Sequence, residues 1–140
     1  GVVFADAFST ANLTNTTANS SMTFNAGDTY NVTGTLTLTG TSGNLITLNS
    51  DSPPTQFTLT VSGGAQTESF LNVSNSAASS NDITCNDCTN GGGNDDGASS
   101  PFWIFTKSVS GTVYTDEGST NIGSGKMPGR RADGWLRDCS

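Results

Sequence analysis

Cys85-Asn86-Asp87-Cys88 is the stretch whose residue types and spacing offer this chain the most chemistry. A CxxC pair can be half a zinc site, a redox couple or a disulfide. Zinc asks for about four nitrogen or sulfur ligands, and the chain has no His and only one further cysteine, Cys139. Thioredoxin-like chemistry needs a βαβ setting, and no such pattern surrounds this pair. A disulfide formed in an exporting compartment is the better reading. The pairing stays open: three cysteines leave one over in a monomer, and Cys139 can join Cys85 or Cys88 in its own chain or a neighbour's. The second group is Gly91-Gly92-Gly93-Asn94-Asp95-Asp96-Gly97. Glycine turns followed by the adjacent carboxylates Asp95 and Asp96 could present oxygens to Ca²⁺, which takes six to eight of them. A solvated loop is the plainer reading, and no other cofactor is expected.

Catalysis by acid–base pairs needs groups that converge. Asp28, Asp51, Glu68, Asp82 and Asp87 are spread one per turn or loop, the pattern of solvated corners. Histidine is absent, and all five basic residues (Lys107, Lys126, Arg130, Arg131, Arg137) lie in the last quarter of the chain. The expectation is therefore a protein that is not an enzyme. The net charge of −7 and the cation-free first 106 residues also argue against binding phosphate backbones or anionic membranes. No run approaches the roughly 20 apolar residues of a membrane-spanning helix. Gly1–Phe8 lacks the basic and apolar regions of a signal peptide, which reads as a mature piece whose export signal is gone. Asn12, Asn15, Asn19, Asn31 and Asn72 each begin an Asn-x-Ser/Thr triplet, the glycosylation acceptor pattern. Such matches arise by chance in a chain where Thr, Ser, Asn and Gly supply 72 of 140 residues.

The elements that would hold these groups are short strands. Leu36 and Leu38, then Ile46 and Leu48, then Phe57, Leu59 and Val61 alternate with Thr or Ser, and period two means a pleated strand with one buried face. Gly40–Asn44 and Asp51–Pro54 separate these runs with turn chemistry. Further strands are expected around Met22–Phe24, Tyr30–Val32 and Ser69–Val73. Ile46/Leu48 recur about 25 residues on as Leu71/Val73, and Leu36/Leu38 about 21 residues on as Phe57/Leu59, which is the length of one solenoid coil. Ile83/Cys85 begins a further turn. The expected fold is all-β: a short right-handed parallel β-helix of about three coils at 22–105. A strand-bearing extension precedes it at 1–21, and a strand with a basic tail follows at 106–140.

The stretch Gly40-Thr41-Ser42-Gly43-Asn44-Leu45-Ile46-Thr47-Leu48-Asn49-Ser50, with Pro53, Pro54 and Thr55-Gln56-Phe57, resembles a repeat of large bacterial secreted and cell-surface proteins. The likeness extends over roughly residues 10–125, through Met22–Tyr30, Ser69–Ser76 and Phe102–Phe105. The resemblance implies a right-handed parallel β-helix in an extracellular or surface-displayed protein. Such coils occur in adhesins, filaments and passive stalks. The Cys85/Cys88 pair departs from that repeat and suggests a locally stapled loop. Ser110–Gly118 resembles the opening strand of the β-sandwich modules that often follow such helices, and Lys126–Ser140 matches nothing before it. Many β-helices are polysaccharide lyases or hydrolases, but those are longer and gather carboxylates with Arg, Lys or His in a cleft.

Three coils sit near the lower limit for a free-standing solenoid, and open ends expose strand edges. Gly1–Phe8 is strand-like and could pair with its own body or with another subunit. Phe102, Trp103, Ile104 and Phe105 form an apolar run that must be buried, as an end plug or against a partner. These features point to a subunit of an extracellular filament that meets copies of itself head to tail. The contacts would come from Val2, Val3, Phe4, Phe102, Trp103, Ile104, Phe105, Val113, Arg130, Arg131 and Trp135. The alternative is an adhesin or stalk module of a bacterial surface protein, binding glycans or nothing.

Overall fold

The computed structural model describes residues 1–97, 99–111, 114–115 and 120–121. The chain divides into two units, Gly1–Ser108 and Val109–Ser140. In the second, β15 (Tyr114–Thr115) pairs antiparallel with β16 (Thr120–Asn121). Val113, Arg130, Arg131, Trp135 and Cys139 lie outside the described residues.

The first unit is a parallel β-solenoid of about five coils, with no helix among the described residues. Each of the first four coils contributes one strand to each of three faces, and the fifth contributes one to the first and one to the third. The first face stacks β1 (Val2–Phe4), β4 (Ser21–Phe24), β7 (Ile46–Ser50), β10 (Leu71–Ser74) and β13 (Thr89–Asn90). The second stacks β2 (Ser9–Thr10), β5 (Thr29–Val32), β8 (Phe57–Val61) and β11 (Ser76–Ser79). The third carries β3 (Leu13–Asn15) on β6 (Leu36–Leu38), then β9 (Gln66–Ser69), β12 (Ile83–Asn86) and β14 (Trp103–Thr106). Period-two alternation explains the elements: in β7 and β8 the apolar side chains are buried and the Thr and Asn between them face out.

The count is five coils rather than three, for two physical reasons. Gly1–Ser21 is not an extension; β1, β2 and β3 make a complete first coil, each parallel to the strand above it. The fourth coil then uses Ser76 and Ala78 as its inward residues in β11, so a small-residue strand lies where the sequence shows no apolar run. One register expectation holds: Ile46 and Leu48 stack under Leu71 and Val73. The other does not. Phe57 and Leu59 belong to the second face, with Leu59 on Tyr30, while Leu36 and Leu38 belong to the third face, on Leu13 and Asn15. Corners of unequal length move similar apolar pairs onto different faces.

The core is a column of stacked side chains. Phe24 lies between Phe4 and Phe57, with ring centroids 5.0 and 4.2 Å away, an offset stack that aromatic quadrupoles favour. Tyr30 meets this column edge-on at 4.9 Å from Phe24. Its hydroxyl donates to the Phe4 carbonyl at 3.1 Å and accepts from the Asn25 N–H at 2.9 Å, so its buried polar tip is satisfied. Where the second face turns into the third, Gly63 lies directly over the Gly34 carbonyl, and a Cβ on Gly63 would collide with that backbone. Glycine is needed there for close approach rather than for its torsion angles.

Candidate functional site

The third face is where this chain departs from regular stacking. Between β6 and β9 the backbone ladder is lost except for one bridge, Thr39 to Ser69. Two side chains from β9 take the place of the missing carbonyls. The Gln66 Oε1 accepts from the Leu36 N–H at 3.0 Å, and the Glu68 Oε2 accepts from the Leu38 N–H. Glu68 faces the interior, only 1% exposed. Its other oxygen, Oε1, is buried without a hydrogen-bond partner. Burial pushes the carboxyl up to about 7, against the lowering effect of the Leu38 N–H. No charge opposes it: β6 and β12 bring no ionisable group besides the bonded Cys85.

Glu68 was expected to be one of the solvated corner acids, and the structure overturns this. Its parity decides: Gln66 and Glu68 occupy the inward positions of a strand with no apolar residue to mark them. The other four carboxylates do sit at or near corners, and they act as staples. Asp51 accepts from the Ala26 N–H of the coil before it at 2.8 Å. Asp82 accepts from the Phe102 N–H at 3.1 Å and the Ser100 hydroxyl at 2.7 Å. Asp87 accepts from the Ser108 N–H at 2.7 Å and its hydroxyl at 2.6 Å, and these bonds, the hydroxyl's first, hold its carboxyl below the usual range. Asp28 accepts from the Asn25 amide at 2.9 Å. Backbone N–H groups left unpaired at corners need acceptors, which is why aspartate recurs there.

Cys85 and Cys88 are joined by a disulfide with Cα atoms 5.6 Å apart. Neither is then left for Cys139. Cys85 stacks in register with Glu68 below and Phe105 above. Both cysteines are buried, so the bond fixes the third-to-first corner and lies out of reach of thiol exchange. Asp96 accepts from the Asn90 amide, and the Asp95 backbone extends the second face by bonding Ser76 and Trp103. No group of three His, Cys, Asp or Glu converges among the described residues.

The expected contact residues fall at the two ends of the solenoid. Val2 and Val3 are 53% and 70% exposed on β1. No strand among the described residues pairs with the outer edge of β1, β2 or β3. Between β1 and β3 lies a hollow of about 380 Å³, with Val2, Phe4, Leu13 and Met22 on its floor and Asn15, Thr17 and Ser20 among its polar lining. At the far end, Trp103 turns inward, and its indole N–H donates to the buried Ser76 hydroxyl at 3.0 Å. Phe105 stacks on it at 6.0 Å. Phe102 and Ile104 are half-buried.

The fold and its stapled corners define the chain as a parallel β-solenoid. Comparison with known families, with curated proteins and with solved structures found no match.

Proposed function

We propose that this chain is a non-catalytic structural subunit of an extracellular filament, assembled head to tail from copies of itself. The observation that carries the reading is the first coil. The outer edges of β1, β2 and β3 are unpaired among the described residues, and a hollow of about 380 Å³ with an apolar floor of Val2, Phe4, Leu13 and Met22 opens between β1 and β3. A surface of that form is filled by another coil of the same three-sided section, because parallel edges in this arrangement accept parallel strands. At the far end of the same chain, β13 and β14 are the last strands of the first and third faces, and their outer edges pair with no strand among the described residues. A contact between unlike ends does not close on itself, so it propagates. If a terminal strand is exchanged between subunits, residues 109–114 are the better candidate than 1–8, because β1 is already paired in its own first face. The buried disulfide agrees with an oxidising, extracellular setting. The neutral Thr, Ser and Asn surface also favours a second reading, an adhesin or stalk module.

Negative-stain electron microscopy of the concentrated protein tests the proposal. Long fibres of uniform width are expected. Val2→Asp places a charge at the mouth of the hollow and is expected to leave folded, unassembled particles. Dispersed small particles from the unaltered chain at every concentration would overturn the filament reading and favour the stalk.

A further inference from the structure

The corner between the third and first faces changes length from coil to coil. Seven residues, Thr39–Leu45, join β6 to β7. A single residue, Phe70, joins β9 to β10, and two, Asp87 and Cys88, join β12 to β13. The long corner overhangs the two short ones, and the step leaves an open hollow of about 520 Å³ lined by Ser42, Gly43, Leu45, Phe70, Asp87 and Thr89. That volume is in the range of small-ligand sites.

Two features set this hollow apart from an accidental step. A one-residue corner demands a left-handed backbone, and the corner between β10 and β11 meets that demand with Asn75 at φ 52°, an ordinary choice. Phe70 sits at φ 54°, where a bulky side chain is an outlier. The corner gains nothing from the phenyl ring, so the ring itself is the reason for the residue. It is half-buried and faces the hollow beside Leu45. The second feature is Asp87, in the stacked corner position above. Ser108 holds both carboxylate oxygens in place by hydrogen bonds, which leaves each oxygen a further lone pair for a ligand. The exposed Ser42 and Thr89 complete a rim of polar groups around an aromatic and aliphatic floor.

We propose that this hollow is a binding subsite for a neutral pyranose sugar. A pyranose has one face of C–H bonds and a rim of hydroxyls. The C–H face stacks on Phe70, and the hydroxyls donate to Asp87 and exchange hydrogen bonds with Thr89 and Ser42. An ionised aspartate, in a chain of net charge −7, disfavours acidic sugars by repulsion. A single ring on so open a floor gives a Kd on the order of a millimolar. The inference goes beyond the filament reading and does not depend on it, since the hollow lies on a corner and is complete within one chain.

The test is a titration of the isotope-labelled, dilute monomer with methyl glucoside, methyl galactoside and methyl mannoside, followed by amide chemical shifts. Methyl glucuronide serves as the acidic control. Saturable shifts at Gly43, Phe70 and Thr89 are expected with at least one neutral sugar, and at least tenfold weaker binding of the glucuronide. Phe70→Asn suits the left-handed corner and is expected to melt no lower than the unaltered chain while losing the shifts. Asp87→Asn is expected to weaken binding several-fold. Absence of saturable shifts with all three neutral sugars overturns the proposal, as do shifts that survive in Phe70→Asn.

Discussion

The first and third faces of the solenoid share coils but not construction. On the first face, five strands pair in an unbroken ladder from β1 to β13. Its inward positions from Met22 to Val73 are apolar except Ser50. On the third face the ladder breaks after β6, and Gln66 and Glu68 span the gap with side-chain acceptors. The difference separates two jobs. An unbroken ladder is a template whose free edge can be extended by another coil. An interrupted one holds together by polar groups inside the protein, so its strength depends on solution conditions.

Four substitutions would break or sharpen that contrast. The largest effect is expected beneath the first face, where Phe24 is fully buried between two rings. Phe24→Ala should cost roughly 3–5 kcal/mol in denaturant unfolding, equally at pH 5 and pH 8, because no titrating group is involved. A strong pH dependence of that loss would mean the faces are not separable.

Glu68→Gln comes next. The folded chain keeps the Glu68 proton up to about pH 7, whereas the unfolded chain releases it near the ordinary value of 4.5. Between these limits the folded state binds more protons, so stability falls as pH rises from about 4.5 to 7 and levels off above. The span amounts to about 3 kcal/mol. Glu68→Gln removes the ionisation and should stabilise the chain by up to that amount at pH 8, with little change at pH 4. Parallel unfolding curves for both proteins across this window would contradict the account of the third face.

Replacing both cysteines, Cys85→Ser with Cys88→Ser, releases a very short loop and should cost about 2 kcal/mol. Mild reductant should leave the folded, unaltered chain unchanged, because the bond is buried. The smallest effect belongs to Gln66→Ala, which leaves the half-buried Leu36 N–H without its acceptor and should cost about 1 kcal/mol. Amide exchange would report it as faster exchange at Leu36, with Leu48 on the first face unchanged.

How much of this was legible in the sequence differs between the same two faces. Alternation in Ile46–Ser50 and Leu71–Ser74 identifies first-face strands and their register, because inward apolar residues mark the parity. The same signal fails at Gln66–Ser69, where both inward residues are polar, so Glu68 reads as a surface acid. Its spacing of 17 residues to Cys85, one coil on, was the available clue. The hollow at the third-to-first corner was not legible at all. It arises from unequal corner lengths, and Phe70 looks like one more strand residue until its left-handed torsion is known.

The most direct test of head-to-tail stacking is amide hydrogen exchange at two protein concentrations, one dilute and one in which fibres form. The account predicts that amides on the outer edges of β1, β2 and β3 become protected in the concentrated sample, while the interior strands β7 and β8 keep the protection they already have. Exchange at β1, β2 and β3 that stays as fast in the concentrated sample as in the dilute one would contradict it.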